Sequence, residues 1–296
     1  MTGKENAMKT RIRTGKYMPF VFLSPFLVLF ALFYIGPLIY GFYMSLFHKY
    51  GLRPATFIGM ENYIKAFTDN GFLSSILTMG EFFLIQGSIM IGLALLFALY
   101  IDNEKNHFRG FFRLVYYIPF AIPTVISGIL WGFMYSKSLS PFQSIFGLVG
   151  LHPNFLSSGS LFWSIMNIVT WEWIGYNMII LYSGLQSIPR ELYESAKIDG
   201  ARNFDIIRYI KLPLIVPSLI LTVIFTVIGT FQIFNEPYVL QSMTYVSTHF
   251  TPNLYIYTTA FSYGNFNFAA AMAIVLALVT FAISMIFMRF AGFKEE

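Results

Sequence analysis

Six long apolar runs separated by shorter polar stretches set the pattern of this chain. They cover residues 18–47, 82–101, 114–135, 161–185, 214–235 and 268–288 and carry almost no charge. About 20 apolar residues in helical form cross a bilayer core of roughly 30 Å. In lipid the backbone N–H and C=O groups find no water, so each run is expected to be a helix whose hydrogen bonds are internal. The apolar–polar alternation of a barrel strand is absent. The pattern therefore predicts an all-α integral membrane protein with six transmembrane helices. Pro119, Pro123, Gly128 and Gly132 fall inside the third run, where a membrane helix tolerates them, and the Gly128/Gly132 spacing predicts a small face for close helix packing. The first run is longer than the apolar core of a cleavable leader and is interrupted by Pro25 and Pro37, so it is expected to be a retained span.

Composition agrees with this pattern. Hydrophobic residues make up 56% of the chain and charged residues 11%, with a mean hydropathy of +0.64, well away from soluble domains. Most of the Lys and Arg residues fall in four places: the N-terminal tail (Lys4, Lys9, Arg11, Arg13, Lys16), the second connection (Lys105, Arg109, Arg113), the fourth connection, and the C-terminus (Arg289, Lys294). Positive residues mark cytoplasmic loops, so both termini and the fourth connection are expected in the cytoplasm. This bias accounts for the net charge of +5 without nucleic acid. No cysteine is present, which removes disulfides and thiolate metal sites. The longest polar connections, 49–71 and 236–267, are too short to fold alone. The expected organisation is a basic cytoplasmic tail over 1–16, a membrane domain over 17–290, and a short cytoplasmic tail over 291–296.

The fourth connection, 189–213, is a charged island between two apolar runs. It holds Arg190, Lys197, Arg202, Arg208 and Lys211 together with Glu191, Glu194, Asp199 and Asp205. Pro189 suits the first turn of a helix, and Glu191 and Glu194 complement its positive N-terminal end. Leu192, Ser195, Ala196 and Asp199 share one face at helical spacing. Gly200 permits a change of direction that a Cβ would resist. A second helix from Asn203 presents Ile206, Ile207 and Ile210 before Pro213 opens the next run. Two short helices joined at a glycine would make a protrusion able to enter a partner's groove; the bland alternative is a solvated, salt-bridged loop.

Glu194-Ser195-Ala196, Asp199-Gly200-Ala201, Ile207, Ile210 and Leu212-Pro213 resemble the signature loop of ATP-binding-cassette importer permeases, with Ser195 where that pattern has alanine. The resemblance extends along the chain. Phe57-Ile58-Gly59-Met60-Glu61-Asn62-Tyr63, Phe112-Arg113 with Pro119 and Trp131, Gly175-Tyr176-Asn177-Met178, Leu185-Gln186-Ser187-Ile188-Pro189, Phe231 to Glu236, and Tyr255-Ile256-Tyr257 through Ala260-Phe261 are similar to segments of the carbohydrate-uptake branch. A Gly-Gly-Pro expected after the fifth run is missing, where 241–244 reads Gln-Ser-Met-Thr. The resemblance implies a six-span importer-permease bundle in a bacterial or archaeal plasma membrane. It implies coupling to an ATPase through Glu191, Glu194, Ala196, Asp199, Gly200, Ala201, Phe204, Leu212 and Pro213. The implied partners are a second homologous permease, two cytoplasmic ATPase subunits carrying ATP and Mg, an extracytoplasmic solute-binding protein, a sugar, and membrane lipid. No cofactor is implied in this chain.

An ionisable residue inside a span is expensive and normally faces a cavity or a partner. Glu172 is the one charge in the run 161–185, and Trp173, Tyr176 and Asn177 follow it closely. On the fifth run Thr226 and Thr230 are one turn apart, with Gln232 and Ile233 just beyond. Aromatic faces with hydroxyl, amide and carboxyl groups suit a sugar, and the resemblance places substrate contacts on the same two spans. Helix packing is the competing reading for each of these residues. Phosphate-loop and His-Glu-x-x-His motifs are absent from the sequence, so energy is expected from a partner. Two rival readings stand beside this one. A permease for a glycerol phosphodiester would favour Lys or Arg at mid-depth, and an ion-coupled transporter would favour repeats and several buried carboxylates.

Overall fold

The structure, a computed structural model, describes residues 18–48, 54–103 and 107–290. The expected tails 1–16 and 291–296 lie outside these residues. The chain starts with α1 (Met18–Phe30) and α2 (Gly36–Ser45), joined through a widened turn at Ala31–Ile35. A two-residue ribbon follows, β1 (Phe47–His48) antiparallel to β2 (Thr56–Phe57), with Phe47 opposite Phe57. The first run therefore stops being helical at Ser45, two residues before its expected end. Next comes α3 (Glu61–Ala66). The Asn62 amide donates to the Ser45 and Phe47 carbonyls at 2.7 and 2.9 Å, and the Tyr63 hydroxyl meets Ser45 Oγ at 2.6 Å. The Phe57–Tyr63 segment thus fastens the end of α2.

Helices α4 (Asn70–Phe82) and α5 (Ser88–Asp102) form one long element around a widened turn at Phe83–Gly87. It begins twelve residues before the run expected at 82–101. Of the polar residues in its first turns, Ser75 is buried between Phe72 and Met79, whereas Asn70, Ser74 and Glu81 are exposed. Asp69 caps the helix by accepting from Phe72 N at 2.8 Å.

The third run is not one straight helix. α6 (Arg109–Tyr117) passes through a tight turn at Ile118–Ala121 and meets α7 (Thr124–Tyr135) at 98°. Ile122 precedes Pro123 and is extended, with φ −82° and ψ 129°. A residue before proline is pushed out of the helical region, and proline supplies no amide donor. Beyond it α8 (Pro141–Gly147) leads to α9 (Leu161–Gln186), close to the expected 161–185.

The charged island forms α10 (Arg190–Ile198) and α11 (Asn203–Ile206), then a widened turn at Ile207–Lys211 and the short α12 (Leu212–Leu214). The fifth run becomes α13 (Val216–Phe231) followed by α14 (Asn235–Leu240). α15 (Pro252–Tyr257) precedes α16 (Phe266–Phe290).

Four of these helical stretches are long and apolar enough to cross a membrane, or five if the bent pair counts as one span. The six expected spans are not reached by this measure. α9 has the length, but Asn167, Glu172, Asn177 and its tryptophans dilute its hydropathy. The stretch Phe20–Ser45 has no buried residue in its most apolar window, although its end is held by Asn62, Tyr63 and the Asn267 amide, which donates to the Met44 carbonyl at 2.8 Å.

Two apolar clusters hold the bundle. At the loop end, Ala94, Ala98 and Ile101 of α5 pack on Met178, Leu181 and Leu185 of α9, with Ile188 and Ile215. The alanines let the two helices approach closely. At the far end Phe72, Met79, Phe82, Ile165, Ile168, Val227, Leu254 and Met272 form the larger cluster. Gly128 and Gly132 of α7 face α14 and Met243, a packing role in line with their spacing. α9 also touches the bend of the third run at Gly175. A Cβ there would strike the Tyr116 carbonyl, so only glycine allows this approach.

Candidate functional site

The bend at Pro123, the end of α13 and the middle of α9 leave a cavity of about 170 Å³ between them. Of the residues expected on a substrate path, Trp173, Tyr176, Asn177, Thr226, Thr230, Gln232 and Ile233 all line it. Trp173 and Tyr176 form its aromatic wall, and Phe120 packs on both, stacking on Tyr176 at 4.7 Å and meeting Trp173 edge-on at 5.3 Å. Phe225 of α13 lies 6.5 Å from the Tyr176 ring. Stacked rings hold one another in place and keep a flat face available to the C–H side of a ligand.

The polar wall has more members than the sequence pattern suggested. Gln86, Thr124, Asn235 and Glu236 also line the cavity. Asn235 Nδ2 donates to Thr124 Oγ1 at 2.7 Å, tying the start of α14 to the start of α7. Gln86 donates to Thr170 Oγ1 at 3.2 Å, while its buried carbonyl oxygen has no protein partner. Asn177 reaches only the Met90 sulfur, at 3.5 Å, a weak acceptor. Gln86, an uncharged amide, gave no signal under the rule used for Glu172, which looks for ionisable side chains. Glu236 was assigned to an outer connection because α14 begins only after the irregular turn at 232–234.

Glu172 corrects the expectation of a shared lining. It does not line the cavity. Its side chain is 2% exposed and lies behind the wall, beside the carboxyl of Glu236 (4% exposed) and the hydroxyl of Ser127. Val169, Trp173, Tyr176 and Asn177 give α9 its cavity side, while Glu172 turns toward Ser127 of α7 and Glu236 of α14. Thr226 donates to the Thr222 carbonyl at 2.8 Å, which leaves its oxygen lone pairs toward the cavity.

The residues of the charged island sit together at one end of the bundle. Glu191 and Glu194 are exposed on α10, with Ala196 half-buried; Asp199 and Gly200 form the exposed turn, followed by half-buried Ala201. Gly200 has φ +85°, a left-handed conformation that costs other residues energy. Ala201 N donates to Ala196 O at 2.9 Å and Gly200 N to Lys197 O at 3.1 Å, closing the helix end. Ile198 (87% exposed) and Phe204 (66% exposed) project on either side of this turn. Leu212 is half-buried and Pro213 exposed. Tyr193 and Ala196 of α10 turn toward the bundle, while Leu192, Ser195 and Asp199, which share a helical face with Ala196, remain outside. Ile206 is buried, and Ile210 and Leu212 pack on the loop-end cluster.

A helical membrane bundle with a polar cavity beside a broken helix, and a helix–glycine–helix protrusion at one end, defines a transport component of the importer-permease class. The chain belongs to the family of binding-protein-dependent transport system inner membrane components, which matches residues 90–294. It is 29% identical over 298 residues to the arabinooligosaccharides transport system permease protein of Bacillus subtilis (strain 168), covering 99% of this chain and 95% of that relative. It is 30% identical over 284 residues to the lactose transport system permease protein of Rhizobium radiobacter, covering 93% and 94%. Its fold is that of a bacterial ABC transporter involved in import of the acidic polysaccharide alginate, with a TM-score of 0.82, 22% identity, and 95% and 96% of the two chains covered.

Proposed function

We propose that this chain is the membrane permease subunit of an ATP-driven sugar importer, and that its cavity carries a neutral saccharide, most suitably an oligosaccharide. The carrying observation is the cavity wall: stacked aromatic rings on one side, amide and hydroxyl groups on the other, and no Lys or Arg among the lining residues. Apolar C–H faces of a sugar stack on rings while its hydroxyls take the amides. The names of the arabinooligosaccharide and lactose permeases point to a sugar, and an sn-glycerol-3-phosphate permease of Agrobacterium fabrum is also among the relatives, at 26% identity. A phosphate-bearing solute would meet Glu236 with no compensating cation, which disfavours the glycerol phosphodiester reading.

In this reading six spans cross the membrane, with α9 and the bent α6–α7 pair counted among them and both termini in the cytoplasm. A second, homologous permease completes the path. Two ATPase subunits bind ATP and Mg and receive the protrusion at 189–213, and a soluble receptor delivers the sugar from outside. Closure of the ATPases on ATP pushes α10 and α11, rocks the bundle outward-facing, and hydrolysis resets it. The test is receptor-stimulated ATP hydrolysis and uptake by the reconstituted complex with a panel of mono- and oligosaccharides. A neutral saccharide should stimulate both, and stimulation only by a phosphodiester would overturn the assignment.

A further inference from the structure

A polar knot ties the loop 189–213 to the bundle, and we propose that its centre, Asp102, is the positioning residue that transmits the loop's movement to the spans behind it. The proposal rests on the coupling role given above to the loop. Asp102 is the last residue of α5, and its side chain is 6% exposed. One of its oxygens receives the Lys211 ammonium, itself 15% exposed. The other accepts from the Gln186 amide at 2.7 Å. Gln186 ends α9, and Lys211 immediately precedes α12 on the way into α13. The Lys211 ammonium also lies 5.2 Å from the centre of the Tyr193 ring on α10. One carboxylate thereby connects the ends of α5 and α9 with both helical halves of the loop.

The surroundings make this connection stiff. Ile101, Leu185, Ile188 and Ile215 of the loop-end apolar cluster neighbour its members in sequence; the Lys211–Asp102 contact is partly buried while the Gln186 bond faces solvent, and charge-assisted hydrogen bonds are short and directional. Apolar side chains can slide past one another at little cost, whereas separating a buried ion pair leaves an uncompensated charge. The Tyr193 phenol is pushed up to about 12 by burial and, secondarily, by the negative charge of Asp102. It therefore stays neutral and offers its ring face to Lys211 at physiological pH.

Both helices that meet at the knot also reach the cavity, α5 through Met90 and α9 through Asn177. At a rise of about 1.5 Å per residue, Asn177 stands roughly 14 Å from Gln186 along α9, and Met90 roughly 18 Å from Asp102 along α5. A push on α10 reaches the cavity walls through these two rigid elements.

The experiment measures sugar molecules moved per ATP hydrolysed in the reconstituted complex, normalised to assembled complex. Asp102→Asn and Lys211→Met should each continue to hydrolyse ATP while the ratio falls at least tenfold. The exchange Asp102→Lys with Lys211→Asp should recover most of the ratio, with the Gln186 amide turned over to accept from the new lysine. Lys211→Arg, which keeps the charge, should stay within about twofold of the unaltered protein. Unchanged ratios in the single variants, or an exchange no better than either of them, would overturn the proposal. Should the single variants fail to assemble, Gln186→Met removes one bond and keeps the ion pair; it should lower the ratio several-fold, and an unaltered ratio again refutes the role. Gly200→Val reports separately on the loop, so a failure of the coupling reading is distinguishable from a failure of the knot.

Discussion

Tyr176 shows how one residue carries both packing and chemistry. Its ring stacks on Phe120 and meets Trp173 edge-on, yet its face borders the cavity. Tyr176→Ala removes a stacking surface and leaves sugar hydroxyls facing an emptier wall. A lost partner for a buried polar group costs about 1–3 kcal/mol, so the concentration for half-maximal uptake should rise about 5- to 150-fold. Glu236→Gln should alter which sugars are carried, because Glu236 lines the cavity, whereas Glu172→Gln should change uptake without changing selectivity. Competition assays with a sugar panel separate the two carboxyl variants. A selectivity change confined to Glu172→Gln would reverse the roles given to them.

At the scale of elements, the protrusion depends on two helices meeting at a glycine. Gly200→Val would force a β-branched residue into φ +85°, a conformation in which a non-glycine residue costs about 1–3 kcal/mol. Glu194→Lys reverses a charge on the exposed face of α10. Each change should abolish sugar-stimulated ATP hydrolysis and uptake while the chain remains in the membrane, as read by membrane fractionation and transport together. Wild-type transport by both variants would remove the coupling role. The helices themselves were legible to different degrees. The runs 161–185 and 268–288 lie within a few residues of α9 and α16, because nearly all their positions are apolar or face the bundle. The third run was read as one span, since hydropathy does not register that Pro123 turns the chain through 98°. The early start of the second element at Asn70 was hidden because its first turns carry Asn70, Ser74, Ser75, Thr78 and Glu81, which interrupt the apolar pattern.

For the whole molecule, the exposed length of α1 and α2 is the leading observation. Apolar side chains from Phe20 to Tyr43 are open along this stretch, and lipid or another chain must cover them. A complex with one homologous but different permease and two ATPase subunits is the expected assembly, and native mass measurement of the purified complex checks it. Two copies of this chain with no second permease would contradict the expectation.

The sequence by itself determined that the chain lives in a membrane, that its long helices follow the apolar runs, and that the charged island forms two helices around Gly200. These are consequences of local chemistry: backbone groups in lipid must bond internally, and a left-handed turn selects glycine. The aromatic wall was legible for a related reason, since Trp173, Tyr176 and Asn177 lie within about a turn on one helix. Only the tertiary structure decided that Glu172 stands behind the cavity wall while Glu236 and Gln86 form part of it. It alone brought Asp102, Gln186 and Lys211 to a single point. Those placements depend on how α5, α9, α13 and α14 rotate and approach one another, and that is set by side-chain volumes at contacts such as Gly175 against Tyr116, between residues far apart in the chain.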